Sequence, residues 1–195
     1  MPTASTAEIY LLRHGETEWN ATRRFQGKLD SPLTERGVEQ AERCGRRLAA
    51  VVGKVDAMVA SPLGRARQTA EIVHALGAYP AIRWDDRLAE VSLGCWDGLT
   101  DVDIDAGWPG SRDGTTRYDW YFRAPDGERH DMAVARARDW LGGIEGTVVA
   151  ISHGLLGRII RGAYLGLADE EALSLPVPQD VIWRLADGRI EAITA

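Results

Sequence analysis

The sequence predicts an α/β fold in which a mainly parallel central sheet is covered by helices on both faces, a three-layer α/β/α arrangement. Three observations predict it. Short uncharged apolar runs of strand length recur along the chain, amphipathic stretches of helical period stand between them, and polar residues follow the apolar runs at once. In such sheets ligands bind beyond the carboxyl ends of the strands, so those polar residues are the ones to examine for function.

Ile9-Tyr10-Leu11-Leu12 reads as a buried strand that ends in the polar Arg13-His14-Gly15-Glu16. From Thr34, a suitable N-cap, Val38, Ala41, Gly45, Leu48 and Val52 recur at helical spacing with Glu42, Arg43 and Arg46 between them. Val55 to Ala60 reads as a second strand. Ser61-Pro62 then offers an N-cap and an N1 proline for a helix carrying Ala66, Thr69, Ala70, Val73 and Leu76, with Gly77 as its stop.

A weaker strand falls at Ala81 to Trp84, and a helix runs from about Glu128 to Leu141. Thr147 to Ile151, β-branched and uncharged, is the clearest buried strand, and Ser152-His153-Gly154 leads from it into an apolar helix ending near Gly166. Val181 to Leu185 and Arg189 to Thr194 flank Ala-Asp-Gly and read as a hairpin, the antiparallel piece of the sheet.

The 195 residues fit one domain spanning 1–195, with 45% hydrophobic and 27% charged residues placing it in the ordinary globular class. The segment 100–127 differs in character: Gly107, Pro109, Gly110 and Gly114 stand among Trp108, Tyr118, Trp120, Tyr121 and Phe122. Two readings stand open, a lid or specificity insertion and an apolar cluster laid over the core.

A net charge of −6 and a pI near 5.3 disfavour nucleic acid and anionic membrane surfaces as partners, while a local arginine cluster can still focus positive potential on a small anion. Cys44 and Cys95 are too few for a disulfide framework and read as reduced thiols. Met1 to Glu8 has neither a basic n-region nor an apolar h-region, and no long apolar run follows, so a cytoplasmic protein is expected. The oligomeric state is left open, a homodimer included.

Two of the four histidines, His14 and His153, stand directly after strands, with Arg13 and Arg65 at comparable positions; His74 and His130 belong to helical stretches. These strand ends can converge on one crevice. A neutral imidazole can act as a nucleophile, and arginines can hold an anion through two oxygens at once, Arg65 aided by its place near a helix N-terminus. For Arg67, on another helix face, a solvated surface position is expected.

The chain resembles the histidine phosphatase superfamily, which includes cofactor-dependent phosphoglycerate mutases. Five blocks carry the resemblance in order: Leu12-Arg13-His14-Gly15-Glu16-Thr17-Glu18-Trp19-Asn20, then Phe25 to Thr34, then Ser61 to Ala70, then Glu90 with Gly94-Cys95-Trp96-Asp97-Gly98, and last Ser152-His153-Gly154. The resemblance implies a metal-independent, cofactor-free phosphatase acting on small phosphate monoesters through phosphohistidine on His14. Arg13, Arg65, His153 and Asn20 would hold the phosphoryl group, and Glu90 would serve as acid and then base. Gln26, Gly27 and Gly154 would be substrate contacts. Asp97 stands where the family often has Glu. Mutases carry Arg-His-Tyr-Gly after the acid where this chain has Val91-Ser92-Leu93-Gly94, which implies the phosphatase branch; a mutase and a non-catalytic binding module are the alternatives. Arg112, Arg117 or Arg123 and the aromatics from Trp108 to Phe122 are expected to border the leaving group.

Overall fold

The computed structural model describes residues 7–116 and 118–195. Its strands are β1 (Glu8–Arg13), β2 (Ala57–Ala60), β3 (Ile82–Trp84), β4 (Thr147–Ser152), β5 (Val181–Ala186) and β6 (Arg189–Thr194). Its helices are α1 (Glu18–Ala21), α2 (Glu35–Val51), α3 (Gly64–Ala75), α4 (Asp101–Gly107), α5 (His130–Gly142), α6 (Gly154–Leu165) and α7 (Asp169–Ser174). The strands form one sheet in the order β3-β2-β4-β1-β5-β6, parallel from β3 to β1 and antiparallel at β5 and β6.

The pleat sorts the core into two halves, because successive side chains of a strand point to opposite faces. Ile9, Leu11, Val59, Val148 and Ala150 pack with Ala133, Ala137 and Trp140 of α5 and with Leu156 and Ile160 of α6. Tyr10, Leu12, Met58, Val149 and Ile151 face the other way, against Cys44 and Leu48 of α2 and Ala66, Ala70 and Val73 of α3. Helices thus cover both faces, as the uncharged strands require.

Local chemistry explains most boundaries. Thr34 caps α2 by accepting from the Gly37 amide, and Gly166, at φ 66°, ends α6 in the left-handed conformation that glycine adopts freely. Asp187 and Gly188 both have positive φ, which twists the β5–β6 turn in the sense that a two-residue hairpin needs.

One expected boundary is wrong. Ser61-Pro62 does not begin α3: its N-cap is Leu63, which has no side-chain cap bond. The cap comes from elsewhere, as Asp30 accepts from the amides of Gly64 (2.6 Å) and Arg65 (3.2 Å). The Ser61 hydroxyl, 2.7 Å from His153 Nε2, serves the site instead.

The segment 100–127 is also more ordered than its composition suggests. It contains α4, capped by Thr100 with Asp103, and a 3-10 turn over Asp119–Phe122. Ile104, Trp120 and Ala124 pack with Leu93 and Trp96 into a third apolar cluster outside the two faces of the sheet. Among the described residues no helix is long and apolar enough to cross a membrane.

Candidate active site

Three strand ends meet because their strands are neighbours. β4 lies between β2 and β1, with Arg13 in register with Ser152 and Ala60 in register with Ile151. The ladder continues one step past the strands: the His14 amide donates to Ser152 O at 3.1 Å and the Ser61 amide to Ile151 O at 3.0 Å. His14, His153 and the entry to α3 therefore leave the sheet side by side, at the mouth of a cleft of about 380 Å³.

His14 is held in one tautomer. Its Nδ1 lies 2.7 Å from Gly15 O, and a carbonyl can only accept, so Nδ1 carries the proton and Nε2 keeps its lone pair. That lone pair accepts from Arg65 Nε at 3.2 Å. Burial first, then the positive charges of Arg65 and Arg13, hold the ring well below its ordinary pKa, so it is neutral at physiological pH.

Arg65 is 1% exposed, yet none of its burial is unsupported. Its Nη1 donates to Leu29 O and to Asp30, and its Nη2 donates to Gly27 O at 2.8 Å. These acceptors lock the guanidinium plane and leave one Nη2 hydrogen uncommitted, along with the Nε–H now on His14. Arg13 Nη1 donates to Val177 O, while its buried Nε has no hydrogen-bond partner among the described residues. Desolvation, with Arg158 and Arg65 nearby, pushes the Arg13 pKa down to about 10, which still leaves it charged at neutral pH.

The ring of His153 lies 5.1 Å from that of His14. Ser61 meets its Nε2, and its buried Nδ1 has no hydrogen-bond partner among the described residues. Burial, followed by the charge of Arg65, keeps this histidine neutral as well. Asn20 accepts from the Thr17 amide and from Gln179 Nε2 through its side-chain oxygen, so its NH₂ group is what it can offer a ligand. It lines the cleft with Gln26, Gly27 and Gly154.

Glu90 closes the far side. Its Oε1 accepts from the amides of Val91 and Leu156, and its Oε2 accepts from Leu155 at 3.1 Å, so the carboxylate sits on the N-terminus of α6. The loop before it is tied at two points: Ser152 Oγ donates to Leu88 O, and Arg136 donates to Ala89 O at 2.7 Å. Asp97 braces the neighbouring loops, accepting from the amides of Leu93 and Lys28.

All nine residues expected at the site meet around this one point, eight as cleft lining and His153 packed against His14. The expected leaving-group border needs correction. Arg112 pairs with Asp101 and Asp105 and stands over Trp120, so it supports the apolar cluster and does not line the cleft, and neither does Arg123. Of the aromatics from Trp108 to Phe122, only Tyr121 lines it; Arg117 lies outside the described residues. Arg67 stacks on Trp84 at the surface, as expected. Sequence reasoning missed Arg23, Arg24, Phe25 and Arg158 as cleft residues, though Phe25 sits in a motif block and Arg158 lies one turn beyond Gly154 on α6.

An arginine-lined cleft around a buried neutral histidine, at the carboxyl edge of this sheet, points to the class of protein. The profile of the histidine phosphatase superfamily (branch 1) matches residues 9–186, and the chain belongs to that superfamily. It is 38% identical over 176 residues to the "Probable phosphoglycerate mutase GpmB" of Enterobacter sp. (strain 638), covering 82% of this chain and 75% of that protein. Among solved structures, Bacillus stearothermophilus YhfR is similar at 35% identity and a TM-score of 0.82, over 96% of this chain and 95% of that one. A mycobacterial glucosyl-3-phosphoglycerate phosphatase, solved with VO3, is similar at 28% identity and a TM-score of 0.79, over 97% of this chain and 99% of that one.

Proposed function

We propose that the protein is a phosphatase of small phosphate monoesters that works through a phosphohistidine on His14, without a metal ion. The observation that carries this reading is the His14 tautomer: Nδ1–H bonded to Gly15 O, Nε2 bearing a lone pair that faces Arg65.

Nε2 attacks phosphorus in line, and the bond from phosphorus to the ester oxygen breaks as the N–P bond forms. The ring becomes cationic, and the 2.7 Å bond from Nδ1–H to Gly15 O strengthens with that charge. Arg65 Nε–H is released from the lone pair and turns to a phosphoryl oxygen. The unpartnered donors Arg13 Nε and His153 Nδ1 suit further oxygens, the latter as the N–H tautomer with its Nε2 accepting from Ser61. Glu90, in its acid form, gives its proton to the departing alkoxide; Oε2, with a single amide donor, has the spare lone pair for this exchange. The carboxylate then takes a proton from water, whose oxygen attacks phosphorus and breaks the N–P bond. Inorganic phosphate leaves, and His14 and Glu90 return to their starting states.

The likeness to GpmB favours a second reading, in which phosphohistidine returns its group to an acceptor acid and not to water. Incubation with EDTA and a panel of phosphate esters, following both phosphate release and isomer formation, separates the two. Phosphate release that disappears in His14→Ala supports the proposal. Isomer formation without net release replaces it with the mutase, and release that survives His14→Ala removes the phosphohistidine.

A further inference from the structure

The cleft holds more positive charge than one phosphoryl group uses. Five arginines line it (Arg13, Arg23, Arg24, Arg65 and Arg158) against two acids, Glu90 and Asp101. Asp101 is taken by Arg112. Arg65 is offset by Asp30, and Arg24 lies 3.9 Å from Asp103. Among the described residues, no carboxylate pairs with Arg158 or Arg23. An arginine in a cleft without a counter-ion is a ready partner for an anionic ligand group.

Helix geometry says where along the substrate that group would fall. Gly154, Leu155 and Arg158 share one stripe of α6 facing the cleft, at positions i, i+1 and i+4. Gly154 stands beside Arg13, and the amides of Leu155 and Leu156 hold the Glu90 carboxylate. Arg158 follows about 6 Å further along the helix axis than Gly154. The order is therefore phosphoryl site, proton donor, then Arg158, and a substituent of the leaving alcohol lies on the Arg158 side.

Arg158 is also held for such a role. Its Nε donates to Leu175 O at 2.7 Å, and its charge acts on the hydroxyl of Tyr121, which also lines the cleft. Arg23, which keeps φ at 55°, a left-handed conformation where glycine would be less strained, also lines the cleft as a cation without a carboxylate partner among the described residues.

We infer that Arg158 is a specificity-determining residue that binds a second anionic group, a carboxylate or another phosphate, on the alcohol portion of the substrate. The inference rests on the proposed phosphatase reading for the word substrate, but not for the binding site itself. The test compares 3-phosphoglycerate with glycerol 3-phosphate, which differ by a carboxylate in place of a hydroxymethyl group, in the wild type and in Arg158→Gln and Arg158→Lys.

The ratio of kcat/KM for the acid over the alcohol is expected to fall at least about tenfold in Arg158→Gln, as one charge-assisted pair is lost. Arg158→Lys should restore part of it. A bisphosphate with its matched monophosphate, run beside them, tells a phosphate preference from a carboxylate preference. Calorimetric binding of the same compounds to His14→Ala repeats the comparison without turnover. Tighter binding of the doubly anionic member, lost on adding Arg158→Gln, supports the site even if no phosphate is ever released, an outcome that would sink only the phosphatase reading. A ratio unchanged by Arg158→Gln in both kinetics and binding, with either pair, overturns the inference.

Discussion

Arg65 Nε donates to His14 Nε2 across 3.2 Å, so the buried cation and the proposed nucleophile aim each other. Three further contacts depend on the forked guanidinium: Leu29 O, Asp30 and Gly27 O. Arg65→Lys keeps the charge but loses the fork, because an ammonium is a point charge on a flexible stem. We expect kcat to fall about 10²–10³-fold, the scale for losing one preorganised donor. Steady-state phosphate release checks this, and a near-wild-type kcat would remove Arg65 from the transition state.

Stability should fall in mild acid. His14 and His153 have folded pKa values well below 6.5, from burial first and arginine charge second. Below about pH 6.5 the unfolded chain binds protons that the folded chain refuses, so stability is full above that pH and is lost as pH drops toward the folded values. Each histidine contributes a slope of about 1.4 kcal/mol per pH unit within that window. Urea unfolding at pH 7.5 and pH 5.5 measures it, and His14→Asn should shrink the difference. Equal slopes in the two proteins would contradict the assignment.

Gly27 has φ +48°, and a Cβ there would stand 1.6 Å from Oδ1 of Asp97, the carboxylate that braces its loop. Gly27→Ala is expected to cost about 1–3 kcal/mol from backbone strain, with a raised KM because Gly27 O orients Arg65. Urea midpoints and KM report the two effects separately. A variant as stable as the wild type would show that the loop can relax without this conformation.

Asp30 joins helix capping to the site, accepting from the Gly64 and Arg65 amides and from the Arg65 side chain. Asp30→Ala should cost about 1–2 kcal/mol as a lost cap and also lower kcat by freeing the guanidinium. Asp30→Asn retains an accepting oxygen and should lose less of both. If Asp30→Ala loses stability alone, the brace has no catalytic part.

The legible parts of the sequence were those in which local pattern and structure obey one rule. The uncharged run Thr147 to Ile151 is buried on both faces in β4, and the 3.6-residue recurrence after Thr34 is the buried stripe of α2. Residues directly after strands, His14 and His153, were readable as site residues because parallel sheets bind ligands at that edge. Asn20, Gln26, Gly27 and Glu90 were legible only through the family motifs. Nothing in their local spacing shows that Arg136 and Ser152 tie down the loop before Glu90.

Segment 100–127 hid its structure for a different reason. α4 has seven residues, and the 3-10 turn at Asp119–Phe122 has four, both too short to display a period. Their order comes from packing on Leu93 and Trp96, which sequence distance conceals.

The sequence by itself determined the strand and helix pattern, the α/β class and the pairing of two histidines with two arginines, since periodicity and motif order are written locally. Tertiary structure alone decided which arginines are spoken for. Arg112, in the aromatic segment, is neutralised by Asp101 and Asp105, whereas Arg158, in an apolar helix, faces the cleft without a carboxylate partner among the described residues. Charge in the chain is fixed by composition, but whether a charge is free to meet a ligand depends on which acids the fold brings within a few ångströms of it.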